Sequence, residues 1–347
     1  MPLDLSDTLV IGISATALFD LSEADRLFRA EFAKDRDKAI EIYRTYMLER
    51  EAVPLAAGTG LPLVRSLLRL KDLSPNEASP LVEVVVMSRN SPETGLRVLH
   101  TIRQLKLGIS RSVFTGGESV VDYLHAFDVD LFLTTYAYAK DAQRVIDSRV
   151  CAAALLAEPP SGIESLREDQ VRIAFDGDAV LFDEASELVY KTEGLDAFQS
   201  AEDAAQDHPL VEGPYALLLK KLARLQERLP GRIEFSPVRI ALVTARNSPA
   251  EMRAIKTLRH WGVYVDEAFF LGGLGKHRVL EAFKPHIFFD DQDVHLEKAA
   301  GVVPSGKVPY RSDSPLLLMS GESQHKKEET PRKKLRENPS SQGAESP

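Results

Sequence analysis

Two pairs of acidic side chains stand where predicted buried strands end. Asp176 and Asp178 flank a glycine directly after one apolar run, and Asp290 and Asp291 directly follow another. The carboxyl ends of neighbouring parallel strands meet at one edge of a sheet, so we expect the two pairs to lie together. Such a cluster of like charges is costly unless a cation offsets it. Because every ligand would be an oxygen atom, we predict a Mg²⁺ site.

A hydroxyl group and an amine are expected at the same edge. Thr244 ends a third apolar run, and Lys276 follows the flexible stretch Gly-Gly-Leu-Gly at 272–275. These groups, together with the acidic pairs, are the parts required for phosphoryl transfer. A cation and the lysine would offset the phosphate charge, the hydroxyl would orient the phosphate, and one carboxylate would attack it.

The elements that must position these groups alternate along the chain. Short apolar runs predict strands at 9–13, 82–86, 129–133, 171–175, 238–243 and 286–289. Stretches of helical periodicity lie between them, among them 61–73 and 215–229. Two Ser-Pro pairs, at 91–92 and 248–249, are expected to start helices. Strands that alternate with helices predict an α/β fold with a doubly wound, mostly parallel sheet.

The sequence looks internally duplicated. Arg-Asn-Ser-Pro occurs at 89–92 and again at 246–249, and ten further identities follow at a constant offset of 156 residues. A weaker echo joins 9–20 to 172–183 and aligns Ile13 with Asp176. The residues that align with Asp178, Thr244, Lys276, Asp290 and Asp291 also differ from them in chemistry. They are, in that order, Ala15, Met87, Val120, Thr134 and Thr135. We therefore expect one lobe that can do chemistry and one that has lost it.

The ordered motifs Asp176-x-Asp178-x-Val180, Thr244, Lys276 and Asp290-Asp291 resemble those of the haloacid-dehalogenase-like phosphohydrolases. Longer strings, FDGDAVLFDEASE, VTARNSP, FLGGLGK and FFDDQ, are similar to the cytosolic 5'-nucleotidase I family over most of residues 8–310. The resemblance implies Mg²⁺-dependent hydrolysis of nucleoside 5'-monophosphates through an aspartyl-phosphate. It also implies a haloacid-dehalogenase-like fold duplicated into two lobes, with a small cap inserted after the first catalytic strand.

The resemblance assigns roles to the motif residues. Asp176 would be the nucleophile, Asp178 the general acid and then base, Thr244 a phosphate ligand, and Lys276 an electrostatic bridge. The metal would be held by Asp176, the carbonyl of Asp178, and Asp290 and Asp291, with the direct ligand of the last pair left open.

Contacts to the substrate are predicted less sharply. Arg246 and Asn247 could touch the nucleotide, but Arg89 and Asn90 repeat the same pair in the stripped lobe, which favours a structural role. Phe182 lies where a cap would begin and is a further candidate for substrate binding.

The predicted organisation has three parts. Residues 8–150 form a degenerate lobe without catalytic residues, and 151–311 form the catalytic lobe with a cap at about 184–236. Residues 312–347 are rich in charge, Ser and Pro, so we expect a disordered tail.

Composition removes several classes of protein. The chain has 347 residues with 52 acidic and 43 basic side chains, and a net charge of -9 argues against a nucleic-acid binder. A single cysteine excludes an internal disulfide and a Cys-based zinc site. The sequence has no apolar stretch long enough to predict a membrane span. We expect a cytoplasmic enzyme acting on nucleoside 5'-monophosphates, with a homo-oligomer left open. The alternatives are another small-molecule phosphatase or phosphotransferase of the superfamily, and a non-catalytic nucleotide-binding regulator.

Overall fold

The computed structural model describes residues 5–73, 79–231 and 236–319 of the chain. Its strands form one continuous sheet of ten strands. In chain order they are β1 (Leu9–Ile13), β2 (Val82–Ser88), β3 (Arg111–Phe114), β4 (Leu131–Thr135), β5 (Ala152–Leu156), β6 (Val171–Phe175), β7 (Val238–Thr244), β8 (Glu267–Phe270), β9 (Ile287–Asp290) and β10 (Ser305–Lys307).

The order of strands across the sheet is β3-β2-β1-β4-β5-β10-β9-β6-β7-β8. Every neighbouring pair is parallel except β5 with β10, which are antiparallel. The predicted α/β fold with a mostly parallel sheet is therefore confirmed. In each half of the chain the first strand lies between the second and the fourth of that half.

The antiparallel junction decides where the strand ends point. All five strands of the first half run one way, and all five of the second half run the other. The carboxyl ends of β6, β7 and β9 therefore lie on the opposite edge of the sheet from those of β1, β2 and β4. A site at the carboxyl edge of one half is therefore separated from a site at the carboxyl edge of the other half by at least the length of the strands.

Twelve α-helices connect the strands in the described part of the chain. They are α1 (Ala15–Leu18), α2 (Ser22–Phe32), α3 (Arg36–Glu49), α4 (Leu61–Arg69), α5 (Leu96–Gln104), α6 (Ala139–Ser148), α7 (Ala185–Glu193), α8 (Leu195–Ala204), α9 (Ala216–Arg228), α10 (Glu251–His260), α11 (Lys276–Phe283) and α12 (Asp293–Ala299). None of them is long and apolar enough to span a bilayer.

The expected helix starts at the two Ser-Pro pairs are wrong. Helix α5 begins at Leu96, four residues after Pro92, and α10 begins at Glu251, two residues after Pro249. In the first case the Ser91 hydroxyl accepts a hydrogen bond from the Thr94 N–H, 3.2 Å away, and closes a separate turn. The serine thus caps the turn that leads into the helix, as short polar side chains do in many turns.

The segment predicted as a cap contains α7, α8 and α9. The first two helices pack against each other, and α8 also contacts α10. Helix α9 differs, because Leu219 and Leu222 are buried in the main hydrophobic core together with strands of both halves. Residues 232–235 of this segment lie outside the described part of the chain.

The segment after β10 crosses from one half to the other. The Tyr310 carbonyl accepts a hydrogen bond from the Gln143 amide on α6 at 2.9 Å, and the Ser312 N–H donates to Asp147 at 2.8 Å. Leu316 is buried. The predicted disordered tail, 312–347, thus starts inside the described chain, and 320–347 lies outside the described residues.

Candidate phosphoryl-transfer site

Three neighbouring strands bring the predicted groups to one edge. Asp176 follows the last residue of β6, Thr244 ends β7, and Asp290 ends β9. Because β6 lies between β7 and β9, the three strand ends are adjacent. The Asp176 N–H donates to the Phe289 carbonyl, 2.8 Å away, so the sheet register extends into the site.

A buried ion cluster lies at this edge. Lys276, the first residue of α11, places its Nζ 2.8 Å from Asp176 Oδ2 and 2.7 Å from Asp290 Oδ2. The Gly177 N–H donates to Asp176 Oδ1 at 2.7 Å, and the Gln292 N–H donates to Asp290 Oδ1 at 2.8 Å. These contacts fix both carboxylates in the positions predicted for a nucleophile and a metal ligand.

The charges of the cluster do not balance. Asp176, Asp290 and Asp291 each offer one oxygen within 4.8 Å of the others, and all three are buried. Lys276 supplies a single positive charge against three carboxylates. Burial raises the pKa of Asp176 to about 6 and also raises that of Asp290, with Lys276 opposing both shifts. Burial works against a charged Lys276, yet the two carboxylates raise its pKa overall. The cluster therefore carries an excess of negative charge that a further cation could offset.

Asp291 shows where such a cation would bind. Its Oδ2 accepts a hydrogen bond from the Tyr310 hydroxyl, whereas its buried Oδ1 has no hydrogen-bond partner among the described residues. Burial raises the pKa of Asp291 well above its usual range, with the neighbouring carboxylates adding to the effect. An unpartnered buried carboxylate oxygen beside two others fits a divalent cation with oxygen ligands.

Replacing Tyr310 with Phe should weaken Mg²⁺ binding by about 10-fold, because groups that orient a metal ligand typically contribute that much. The change removes only the hydroxyl that holds Asp291 Oδ2. Calorimetric titration of the full chain with Mg²⁺ measures the affinity directly. Tyr136→Phe is the matched control, since that tyrosine is exposed and belongs to the other half. Equal affinities in the two variants would show that Tyr310 does not position the ligand.

Asp178 is held away from this cluster by an arginine. Arg246 donates to Asp178 through two bonds, Nε to Oδ2 at 2.9 Å and Nη2 to Oδ1 at 2.6 Å. Its remaining Nη1 pairs with Glu202 on α8, which also accepts from Arg253 at 2.9 Å. Arg246 is 3% exposed. The predicted acid and the first helices of the predicted cap are thus joined through one buried guanidinium.

The other predicted contacts lie close to this network. Phe182 is fully buried, and the Arg246 guanidinium lies 5.7 Å from the centre of its ring. The Asn247 side-chain oxygen accepts from Gln199 of α8 at 3.3 Å. Thr244 is buried, and its hydroxyl accepts from the Arg246 N–H at 3.3 Å. In this conformation Arg246 and Phe182 are buried. Contact of Arg246, Asn247 or Phe182 with the substrate remains a prediction.

Sequence reasoning missed Tyr310 and Glu202. Each reaches the site from a remote part of the chain, and neither lies in a recognisable motif. The Glu202 carboxylate is buried by α8 packing, so only a fold that places α8 beside α10 shows its two arginine partners. No local pattern at 202 or 310 marks either residue.

Comparison with known proteins identifies the family of the chain. A model of the 5'-nucleotidase family matches residues 1–315. Cytosolic 5'-nucleotidase 1B of Homo sapiens is 34% identical over 302 residues, covering 84% of this chain and 47% of the human protein. The chain thus spans about half the length of that curated relative.

One solved structure was also compared. Histidinol dehydrogenase from Elizabethkingia anophelis overlays on 89% of this chain and 81% of its own, with 9% identity and a TM-score of 0.20, too low to indicate a common fold. The family model and the human relative decide the classification. This chain belongs to the 5'-nucleotidase family.

Proposed function

We propose that the protein is a Mg²⁺-dependent 5'-nucleotidase that hydrolyses nucleoside 5'-monophosphates to nucleoside and phosphate. The observation that carries the proposal is the buried cluster at the carboxyl edge of the second half. There Lys276 bridges Asp176 and Asp290 beside the unpartnered oxygen of Asp291. Membership of the 5'-nucleotidase family supplies the substrate class.

Asp176 is the proposed nucleophile. Its carboxylate attacks the phosphorus, forms an aspartyl-phosphate and releases the 5'-oxygen of the nucleoside. Lys276, 2.8 Å from Asp176 Oδ2, offsets the charge carried by the phosphoryl oxygens. Thr244, at the end of the adjacent strand, would donate its hydroxyl to one of those oxygens. Water attack on the aspartyl-phosphate then releases phosphate and restores the carboxylate.

The cation would be held by the carboxylates of Asp176, Asp290 and Asp291, together with the backbone carbonyl of Asp178, and would offset phosphate charge when bound. Of the last acidic pair, Asp291 has the free oxygen that suits a direct ligand, whereas both Asp290 oxygens already accept hydrogen bonds from the protein. Tyr310 would keep the Asp291 carboxylate in the orientation that presents that free oxygen.

Asp178 is the proposed general acid for the leaving oxygen and the base for the attacking water. Both of its oxygens are bound to Arg246 in this conformation, so it must leave the guanidinium to exchange a proton. Arg246 is also paired with Glu202 of α8. Movement of α7 and α8 over the substrate would therefore be coupled to release of Asp178, a common task of active-site lids.

The finer architecture belongs to the same proposal. We propose a haloacid-dehalogenase-like fold in two copies, predicted at residues 8–150 and 151–311, with the cap inserted after β6. Because β5 (Ala152–Leu156) pairs with β4 in the first copy, we place the boundary after Leu156. The strand order supports duplication, because β3-β2-β1-β4-β5 and β8-β7-β6-β9-β10 follow one pattern. The two copies share a single sheet through β5 and β10. The name of the human relative supports a cytoplasmic location, and no nucleic-acid or membrane partner is proposed.

A substrate panel tests the function. The full chain, with Mg²⁺, is assayed for phosphate release from nucleoside 5'-monophosphates and from sugar phosphates of similar charge. We expect kcat/KM to be highest for the nucleotides. Preference for sugar phosphates would instead support another phosphatase with the same catalytic groups. Nucleotide binding without any phosphate release would support the non-catalytic regulator.

A further inference from the structure

The first half of the chain keeps a row of hydroxyl groups where the second half has its acidic cluster. The Ser14 N–H donates to the Leu133 carbonyl at 2.8 Å, as the Asp176 N–H does to Phe289. The register of β1 with β2 and β4, compared with that of β6 with β7 and β9, extends this equivalence. The hydroxyl residues that occupy the positions of Asp176, Thr244, Asp290 and Asp291 are, in that order, Ser14, Ser88, Thr134 and Thr135, and Thr16 follows Ser14 by two residues as Asp178 follows Asp176.

This register corrects the alignment made from the sequence. Ile13 does not stand opposite Asp176, nor does Met87 correspond to Thr244, because each of these two matches is displaced by one residue. The alignment followed the repeated strings Leu-Phe-Asp and Arg-Asn-Ser-Pro, whose spacing from the strands differs by one residue between the halves. The first half therefore has hydroxyl groups at the positions of Asp176, Thr244, Asp290 and Asp291, whereas Val120 stands at that of Lys276.

Two of these residues, Thr16 and Thr135, line a cavity of about 880 Å³. Thr16 and Thr135, whose hydroxyl oxygens are 3.2 Å apart, line its floor together with Thr59. The Ser14 hydroxyl lies 3.1 Å from that of Thr16 and continues the row beneath. A cavity of this size accommodates a nucleotide-sized molecule.

The walls of the cavity carry charges of both signs. Arg26 and Arg29, exposed side chains of α2, line one wall. The cavity is also lined by three acidic residues, Asp20, Asp25 and Glu158. Arginine is suited to phosphate oxygens, and carboxylates accept hydrogen bonds from ribose hydroxyls. The cavity thus offers donors for a phosphate and acceptors for a sugar.

We propose that this cavity is a second, non-catalytic nucleotide site that binds a nucleoside 5'-monophosphate without a metal. Three buried carboxylates in the second half would repel a phosphate unless a cation were present. At the floor of this cavity Thr135 takes the place of Asp291, and the acidic side chains of the walls lie beside Arg26 and Arg29. Hydroxyl groups donate to phosphate oxygens directly, whereas no carboxylate stands at the floor to attack the phosphorus. The choice of a nucleotide over other phosphate esters rests on the proposed function.

The cavity and the acidic cluster lie on opposite edges of the sheet, so the two sites can be measured separately. Binding of adenosine 5'-monophosphate to the full chain is followed by calorimetry in chelator. We expect one site whose affinity falls at least about 10-fold in the double variant Thr16→Val/Thr135→Val. The loss of a single hydrogen bond to a charged group is enough for such a fall in affinity. Adenosine and inorganic phosphate should each bind more weakly than the nucleotide.

A second variant guards against loss of folding. Arg26→Gln/Arg29→Gln changes only exposed side chains and should weaken the same binding, whereas the control Arg103→Gln/Arg224→Gln should not. Both cavity variants should retain phosphate release with Mg²⁺ at low substrate concentration. Absence of binding in chelator, or adenosine binding as tightly as its monophosphate, would overturn the second site. If the wild type binds the nucleotide in chelator but releases no phosphate with Mg²⁺, the proposed function is overturned and the second site is not.

Discussion

Replacing Asp176 with Asn should lower kcat for nucleotide hydrolysis by about 10⁴-fold or more, as expected when the nucleophile of a covalent mechanism is removed. The amide keeps the shape of the side chain and can still contact Lys276, 2.8 Å away in the wild type. It cannot form the acyl-phosphate. Steady-state phosphate release with saturating Mg²⁺ measures the effect.

The same variant should remain folded. Without a metal, Asp176, Asp290 and Asp291 repel one another, and only Lys276 offsets them. Removing one of the three charges relieves that repulsion, so the thermal midpoint in chelator should stay the same or rise. Asp183→Asn is the matched control, because it removes a carboxylate from the loop after β6 without touching the cluster. Unchanged phosphate release in the Asp176 variant would refute the nucleophile assignment.

Replacing Arg246 with Met should lower the free energy of unfolding by about 3–5 kcal/mol, the cost of removing one partner from a buried ion pair. The guanidinium side chain is 1% exposed and contacts both Asp178 and Glu202. Methionine would fill the space but leave Asp178 without its two donors. Glu202 would keep Arg253 and the Ser186 hydroxyl as its partners among the described residues. Urea denaturation of the full chain, followed by circular dichroism, measures the loss.

Arg253→Met provides the comparison for this prediction. Glu202 would then keep its contact with Arg246, so the loss should be clearly smaller. An Arg246 variant that is no less stable than the Arg253 variant would favour the other role considered for Arg246, contact with the nucleotide. In that case the Arg246 variant would keep its stability and show only a higher KM, and the structural account of this residue would be wrong.

The sequence predicted the elements that carry the catalytic edge because their signals are local. Unbroken apolar runs predicted β1 and β6 with their observed bounds, and an acidic group directly after β6 and at the end of β9 was visible in the same strings. The adjacency of the strand ends then follows from the parallel order. Lys276 was found because a glycine-rich turn directly precedes it.

The contacts that complete the site depend on packing between remote segments. Tyr310 meets Asp291 only because β10 adds beside β9 and turns the following segment across the site. The antiparallel pairing of β10 with β5, which puts the two carboxyl edges on opposite sides, leaves no trace in a repeat of similar strings. The hydroxyl row of the first half was also hidden, since a displacement of one residue changes every equivalence along a strand.

The central claim is that the acidic cluster of the second half supports metal-dependent hydrolysis of nucleotides. The most direct measurement is phosphate release from a nucleoside 5'-monophosphate by the full chain, with Mg²⁺ and again with excess chelator. The account predicts turnover with Mg²⁺, loss of turnover in chelator and recovery when Mg²⁺ is restored. Phosphate release that persists unchanged in chelator would contradict it.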